Sequence, residues 1–189
     1  QVAVENFKKI KTFVKDVLVS DQKLVSLGGD HSVSWPILDA HLDKWDALDI
    51  LHIDAHPDLY DSLLGNKLSH ASPFARIMET GRASRLVQVG IRTLNKHQRE
   101  QAEKFGVEIY QMEDLTKLSS LSFSKPVYCS IDIDALDPAY APGVSHFEPG
   151  GLSTRQLIDC LNGFKGRLIG ADIVEYNPKR DFHLSLIHI

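Results

Sequence analysis

Residues 48–58 of the chain, with the sequence LDILHIDAHPD, contain the pattern that decides its fold. The apolar run from Leu48 to Ile53 is typical of a buried β-strand, and a loop rich in acids and histidine follows it directly. The same order of a β-rich run and then a polar loop recurs around Gly28–Ser32, Asp132–Asp134 and Asp172–Glu175. Because ligand sites of parallel sheets lie outside the carboxyl ends of the strands, we expect these polar residues to gather at one edge of such a sheet.

The rest of the chain alternates β-rich runs with helical patterns. Apolar residues at three- and four-residue steps from Val4 to Leu18 predict an opening helix. Strands are predicted at Leu24–Leu27, Leu48–Asp54, Arg85–Val89, Val107–Tyr110, Val127–Asp132 and Leu168–Val174, and further helices near Val33–Leu42, Ala71–Thr80, Lys96–Phe105 and Thr154–Leu161. Helices between strands imply crossover connections and a mostly parallel sheet covered on both faces. The predicted class is α/β with three α/β/α layers in a single domain.

Composition excludes several classes of protein. A chain of 189 residues with 43% hydrophobic content is long enough to bury the core of one domain. With Lys+Arg 21 against Asp+Glu 25, the net charge of −4 provides no basic field for nucleic acid or anionic membranes. The sequence shows neither an apolar run long enough to span a membrane nor a secretory signal. Two cysteines make no disulfide framework, so a cytoplasmic location is expected.

The acids and histidines of the polar loops predict a metal site. Residues two apart face the same side of an extended chain, so Asp54, His56 and Asp58 are expected to converge, as are the two acids of residues 132–134. Buried carboxylates that converge repel one another unless a cation lies between them. The predicted ligands are His31, Asp54, His56, Asp58, Asp132 and Asp134.

The number of ligands indicates how many ions they hold. One six-coordinate ion would use all six, but two ions with bridging carboxylates and a bridging hydroxide leave an open position for chemistry and are favoured. Carboxylates with a minority of histidine favour Mn²⁺ over metals that prefer thiolates. The predicted cofactor is therefore two Mn²⁺ per subunit.

Other histidines are predicted to lie outside the ligand set. His52 shares the face of Asp54 but lies further back in the strand, so we expect it in the core or supporting the ligands. His41 and His97 fall in helical segments and are expected on the surface. An isolated Asp-x-Asp motif is usually turn or capping chemistry, so the metal prediction depends on the combination of motifs.

The motifs, in this order, resemble the ureohydrolase family, which includes arginase and agmatinase. They are GGDHS at 28–32, DAHPD at 54–58 and SIDIDALDP at 130–138, and the match continues through 141–143, 148–152 and 175–178. The resemblance runs from about Leu24 to Asp181 and is nearest to plant-type and bacterial arginases across residues 54–79. It implies the arginase-like fold, a small guanidino substrate and a homo-oligomer, either a trimer or a hexamer.

The resemblance also implies a role for each matching residue. One Mn²⁺ would be held by His31, Asp54, Asp58 and Asp132. The other would be held by Asp54, His56, Asp132 and Asp134, so that Asp54 and Asp132 bridge. Asp58 would also orient the hydroxide, Glu175 would bind the guanidinium, and His70 would supply the proton to the leaving amine, as histidine does at physiological pH.

The implied reaction is hydrolysis of L-arginine to L-ornithine and urea. The alternatives are agmatine hydrolysis to putrescine and urea, or another guanidino or formimino hydrolase of the family. Many arginases carry an asparagine where this chain has Tyr60, and Asn66 and Ser69 are predicted to bind the substrate in its place. From other classes, a single-zinc deacylase and a non-catalytic binding module remain open.

The ends of the chain lead to a further expectation. The chain starts at Gln1, and its last six residues, LSLIHI, correspond to the translation of a common sequencing-library adaptor. We therefore expect a fragment truncated at both ends, with a partial catalytic domain at 1–183 and a non-native tail at 184–189. A plant origin would change the expected location to the mitochondrion.

Overall fold

The computed structural model describes residues 2–20 and 22–181, so the predicted tail at 184–189 lies outside the described residues. The strands are β1 (Leu24–Leu27), β2 (Leu48–Ile53), β3 (Ala83–Ile91), β4 (Glu108–Gln111), β5 (Ser122–Asp132) and β6 (Lys165–Val174). The helices are α1 (Val2–Leu18), α2 (Ser34–Lys44), α3 (Pro73–Glu79), α4 (Lys96–Phe105) and α5 (Thr154–Gly163). These strands form one parallel sheet in the order β1-β6-β5-β2-β3-β4, which confirms the predicted α/β class.

Each predicted strand is present, but several are longer than predicted. β5 starts at Ser122, before the predicted Val127, and β6 starts at Lys165, before the predicted Leu168. The added residues are mostly exposed, so no apolar pattern marked them. A 3-10 segment over Met112–Ser120 was also not predicted.

Local capping explains where the helices begin and end. The hydroxyl of Ser153 accepts from the backbone N–H of Gln156, whose side chain accepts in return from the Ser153 N–H, so a capping box begins α5. Asn95 caps α4 in the same way, by accepting from the Gln98 N–H. Gly106 ends α4 with a φ of 64°, a conformation that glycine adopts without steric penalty.

Apolar residues cover both faces of the sheet. On β2, Leu51 and Ile53 belong to one apolar cluster, which includes Leu157 of α5. Leu48 and Ile50 belong to a second cluster, whose other members come largely from α1, α2 and α3. Since successive side chains of a strand point to opposite faces, β2 lies between two helical layers, as the three-layer prediction requires.

His41 lies in the core and not on the surface, so that prediction was wrong. Its Nδ1 lies 2.9 Å from the Ile37 carbonyl oxygen, and its ring packs edge-on against Tyr128. A Cβ on Gly170 of β6 would lie 2.5 Å from His41 Nε2, so the ring occupies the space beside a residue without a side chain. Burial lowers the pKa of His41. His97 keeps 41% of its side chain exposed.

Within residues 2–20 and 22–181, no helix combines the length and the apolar character that crossing a bilayer requires.

Candidate metal centre and active site

The predicted ligands meet where four neighbouring strands end. The loops after β1, β6, β5 and β2 lie side by side because these strands are adjacent in the sheet. They bring together His31, Asp54, His56, Asp58, Asp132 and Asp134, all of which are buried except the partly exposed His56. So many ionisable groups in one buried cluster mark a functional centre.

The carboxylate oxygens group around two imidazoles. His31 Nδ1 lies 3.1 Å from Asp54 Oδ2, 3.0 Å from Asp58 Oδ2 and 3.3 Å from Asp132 Oδ2. His56 Nδ1 lies 3.4 Å from Asp54 Oδ1 and 3.0 Å from Asp134 Oδ2. Asp54 therefore presents one oxygen to each group, which is the arrangement of a carboxylate that bridges two cations.

A chain of hydrogen bonds determines which ring nitrogen of His31 carries the proton and which one keeps its lone pair. Tyr128 and Ser130 both donate to the carboxylate of Asp172, at 2.7 Å and 2.6 Å. Ser130 has only one hydroxyl proton, so its oxygen accepts from His31 Nε2–H, 3.0 Å away. The lone pair of Nδ1 is then available beside three carboxylates, and within residues 2–20 and 22–181 Nδ1 has no hydrogen-bond partner. This donor set fits a divalent metal ion.

The electrostatics of the cluster also favour a cation. Burial and the charge of Asp54 raise the pKa of Asp58 to about 6, and burial with the charges of Asp54 and Asp134 raises the pKa of Asp132 well above its usual range. Burial opposes charge on His56, but the Asp134 and Asp54 carboxylates outweigh it and raise its pKa to about 12. The neighbouring acids likewise raise the pKa of His31, against its burial. Positive charge at this position is therefore strongly stabilised.

The acids converge through turns and not through extended chain, so the expected geometry was wrong although the expected convergence occurs. Asp54 Oδ1 accepts from the His56 N–H at 2.6 Å, which turns the chain directly after β2. Asp58 then adopts a φ of 50°. Asp132 accepts from the Asp134 N–H at 2.8 Å and begins a single 3-10 turn. Asp54 and Asp132 thus cap their own turns as well as facing the centre.

A cavity of about 330 Å³ opens onto this cluster, and the predicted catalytic residues His70 and Glu175 line it. Glu175 has a φ of 66°, and its Oε1 accepts from the His31 N–H at 2.8 Å. Asn66 and Ser69 are not among the lining residues. Asn66 is exposed and accepts from the Leu68 N–H, and the Ser69 hydroxyl pairs with Ser72.

Arg92, directly after β3, supports the loops of the candidate site, and the sequence analysis missed it. Its guanidinium donates to the carbonyl oxygens of Glu148 at 2.6 Å and Asp134 at 2.7 Å, and contacts that of Ala135 at 3.2 Å. It thereby holds the loop after β5 against the end of β3. A single basic residue at an otherwise acidic strand edge was the signal that could have identified it. Tyr60, Asn95, His146 and Glu148 also line the cavity and were not predicted to do so.

The sequence of the chain is similar to those of several known proteins. Residues 1–186 match the family model described as "Arginase family". Among curated proteins, the chain is 56% identical over 163 residues to arginase 2, chloroplastic/mitochondrial, of Arabidopsis thaliana, covering 82% of this chain and 47% of that protein. It is 52% identical over 177 residues to arginase 1, mitochondrial, of Oryza sativa subsp. japonica, covering 89% and 52%. Identity to an agmatinase of Bacillus cereus is 36% over 185 residues, covering 95% and 64%.

Solved structures show the same fold. An arginase from Medicago truncatula superposes with a TM-score of 0.90 at 50% identity, over 94% of this chain and 58% of that one. The T. brucei arginase-like protein in an oxidized form gives a TM-score of 0.83 at 27% identity, over 92% and 56%. The chain spans about half the length of the curated plant relatives that it matches.

Proposed function

Because this chain belongs to the arginase family, we propose that it carries the catalytic centre of a manganese-dependent ureohydrolase that hydrolyses L-arginine to L-ornithine and urea. The observation that carries the proposal is the pair of ligand groups around His31 and His56, which share the carboxylate of Asp54. A shared carboxylate between two imidazole-bearing groups suits two adjacent cations better than one.

The donor chemistry supports the proposed cofactor. One Mn²⁺ would be held by His31, Asp54, Asp58 and Asp132, and the other by Asp54, His56, Asp132 and Asp134. When bound, two such ions supply a hydroxide near neutral pH, which is the nucleophile that a guanidinium carbon requires. The donors are carboxylate oxygens and imidazole nitrogens, and both cysteines lie buried in the core, which supports manganese over a thiolate-bound metal.

Glu175 is the proposed partner of the substrate guanidinium. A guanidinium is a planar cation that pairs with carboxylates through charge-assisted hydrogen bonds. The His31 N–H donates to Glu175 Oε1, and the Glu175 N–H donates to the Gly29 carbonyl oxygen at 2.8 Å. These two bonds fix the carboxylate beside the first ligand group, so a bound guanidinium carbon is held next to the proposed ions.

Two further residues have proposed roles in proton movement. Asp58 would accept a hydrogen bond from the nucleophile and so orient its lone pair. His70 lines the cavity and supplies the proton that the departing amine requires. Neither step needs a residue outside the loops that surround the cavity.

We propose arginine over agmatine as the substrate because the plant arginases share 52–56% identity with this chain, against 36% for the agmatinase. Agmatine lacks the α-carboxylate, so the choice depends on groups near the cavity mouth. Asn66 and Ser69 stay predicted ligands of that carboxylate. The Asn66 oxygen accepts from the Leu68 N–H, so its amide nitrogen would donate to the carboxylate, and the Ser69 hydroxyl would do so beside its bond to Ser72. Tyr60 and Asn95, which bond to each other, line the cavity already.

The experiment that tests the function is a urea-release assay with Mn²⁺ on arginine, agmatine and other guanidino compounds. We expect arginine to be hydrolysed fastest, and hydrolysis of agmatine alone would reverse the substrate assignment. Asp132→Asn is expected to abolish urea release, whereas Asp159→Asn, on the exposed side of α5, is expected to leave it unchanged. An unaffected rate in Asp132→Asn would rule out the two-metal mechanism.

Metal analysis separates the alternatives from other classes. Two manganese ions per chain are expected, whereas one zinc per chain would favour a deacylase. Metal binding without turnover of any guanidino compound would favour a binding module.

We also propose a homo-oligomeric assembly, either a trimer or a hexamer, and a mitochondrial location. The names of the Arabidopsis and rice relatives include mitochondrial or chloroplastic locations, which supports the mitochondrial alternative over the cytoplasm. Cell fractionation distinguishes these compartments. Light scattering on the purified protein tests the proposed trimer or hexamer.

A further inference from the structure

We propose that Gln88 and His52 are positioning residues that set the placement of Asp54 and Asp58 in the metal centre. The inference rests on the proposed function, because it assumes that both aspartates bind metal. Gln88 lies on β3 and His52 on the adjacent β2, paired in register, and both are fully buried. Neither residue reaches the cavity, so they act only through the ligands.

The hydrogen bonds of Gln88 determine the proton on His52. The Gln88 amide nitrogen donates to the Pro57 carbonyl oxygen at 2.6 Å, and a carbonyl oxygen only accepts, so the amide group can have only this orientation. The same nitrogen lies 3.0 Å from His52 Nδ1. His52 Nδ1 therefore accepts, and its proton lies on Nε2, 2.7 Å from Asp54 Oδ2.

This proton completes the support of Asp54. His52 Nε2–H donates to Oδ2, and the His56 N–H donates to Oδ1 at 2.6 Å, so each carboxylate oxygen has one fixed donor. Each oxygen keeps a further lone pair for one of the two ligand groups. A carboxylate held in this way is preorganised to bridge.

The second bond of Gln88 reaches the other end of the same turn. Pro57 immediately precedes Asp58, whose φ of 50° is unfavourable for a residue other than glycine. A donor to the Pro57 carbonyl fixes the peptide that enters this conformation. One amide group thus connects the placement of both aspartates to the neighbouring strand.

The unpaired oxygen of Gln88 supports this interpretation. Gln88 Oε1 is buried and has no hydrogen-bond partner among the described residues, which is unfavourable for a residue that only fills the core. The amide oxygen stays unpaired while one amide N–H donates to His52 and the other to Pro57, inside the Asp54–Asp58 turn. His52 is not itself available as a ligand, because both of its ring nitrogens have partners.

The test measures Mn²⁺ affinity in the purified protein by titration with detection of free Mn²⁺ by electron paramagnetic resonance. Gln88→Met removes both donors, and His52→Phe removes the Nε2 proton but keeps a ring to stack on Phe74. Each is expected to raise the Mn²⁺ dissociation constant about 10- to 100-fold, the effect typical of residues that orient metal ligands. His52→Gln keeps an amide donor toward Asp54 and is expected to retain most of the affinity that His52→Phe loses.

Gln156→Met is the matched control. Gln156 is a glutamine of α5 whose side-chain oxygen accepts from the Ser153 N–H at 2.8 Å in the capping box, without a bond to a ligand or to a residue next to one. It is expected to lower the thermal unfolding temperature without changing Mn²⁺ affinity. If Gln88→Met does not fold, the comparison of His52→Gln with His52→Phe decides the question.

The outcomes separate this inference from the proposed function. Tight Mn²⁺ binding by the wild type with unchanged affinity in both Gln88→Met and His52→Phe would overturn the inference alone. Equal losses in His52→Gln and His52→Phe would also overturn it, since the donor would then be irrelevant. A wild-type protein that binds no Mn²⁺ would overturn both.

Discussion

Replacing Ser130 with alanine tests the hydrogen-bond chain that leaves the Nδ1 of His31 free. The Ser130 hydroxyl is fully buried, and it donates to Asp172 at 2.6 Å while accepting from His31 Nε2 at 3.0 Å. Alanine removes both bonds and leaves two buried polar groups without this partner. Without this partner, the proton of the neutral His31 ring can lie on either nitrogen. Nδ1 then no longer always has the lone pair that would bind a metal ion.

The expected magnitude follows from the two lost bonds. A hydrogen bond to a carboxylate contributes about 1.5–3 kcal/mol and a neutral one about 1 kcal/mol, so the free energy of unfolding should fall by about 2–4 kcal/mol. For a chain of this size that corresponds to a decrease in Tm of about 5–15 °C. Loss of the residue that orients a ligand is expected to weaken Mn²⁺ binding about 10- to 100-fold.

The assay combines urea unfolding in EDTA with a Mn²⁺ titration of the folded protein. Ser72→Ala is the control, because the Ser72 hydroxyl is also fully buried and bonds to a neutral group, the Ser69 hydroxyl, at 2.9 Å. The free energy of unfolding of that variant is expected to fall by about 1 kcal/mol, and its Mn²⁺ affinity is expected to stay unchanged. If Ser130→Ala gave the same small loss of stability and the same Mn²⁺ affinity as Ser72→Ala, the argument from the single hydroxyl proton would be refuted.

Three further predictions follow from the geometry of the site. Because the pKa of Asp58 is raised from 3.8 to about 6, the folded protein in EDTA holds this proton more tightly than the unfolded chain, and the contribution of Asp58 to stability should fall by about 2 kcal/mol from pH 4 to pH 6. Thermal unfolding against pH should show a smaller slope in Asp58→Asn, and an unchanged slope would contradict the assignment. Glu175→Gln should lower kcat/KM for arginine about 10- to 100-fold while Mn²⁺ affinity stays constant, and a loss of affinity instead would identify a metal ligand. Gly151→Ala places a Cβ 2.6 Å from Arg92 Nη2 and should destabilise the protein by about 1–3 kcal/mol in denaturant titration, unlike Gly163→Ala, where a Cβ has open space.

The fold was predictable because strands that are buried on both faces have continuous apolar runs in the sequence. β2 is buried along its whole length, so its apolar run and the polar loop after it predicted both the strand and the site. The first residues of β5 and β6 are largely exposed, and their pairing depends on neighbours that are distant in the chain. Periodicity carries no information about such pairing.

The candidate site was predictable in its members but not in its geometry. Side-chain periodicity suggested extended loops, whereas Asp54 and Asp132 accept backbone N–H groups two residues on and turn the chain. The role of Arg92 depends on the carbonyl oxygens of a loop some 40 residues further along the chain, about which sequence pattern gives no information. His41 was misplaced because the space beside Gly170 exists only once β6 lies next to α2.

The positive φ angles of Asp58 and Glu175 have a consequence for attempts to engineer this protein. A residue other than glycine in that conformation costs about 1–2 kcal/mol, so a search for stabilising substitutions will select glycine at both positions. Those replacements would remove one proposed metal ligand and the proposed guanidinium partner. Variants selected for heat resistance alone should therefore drift toward inactive proteins at these two positions, and selection needs a catalytic screen from the first round.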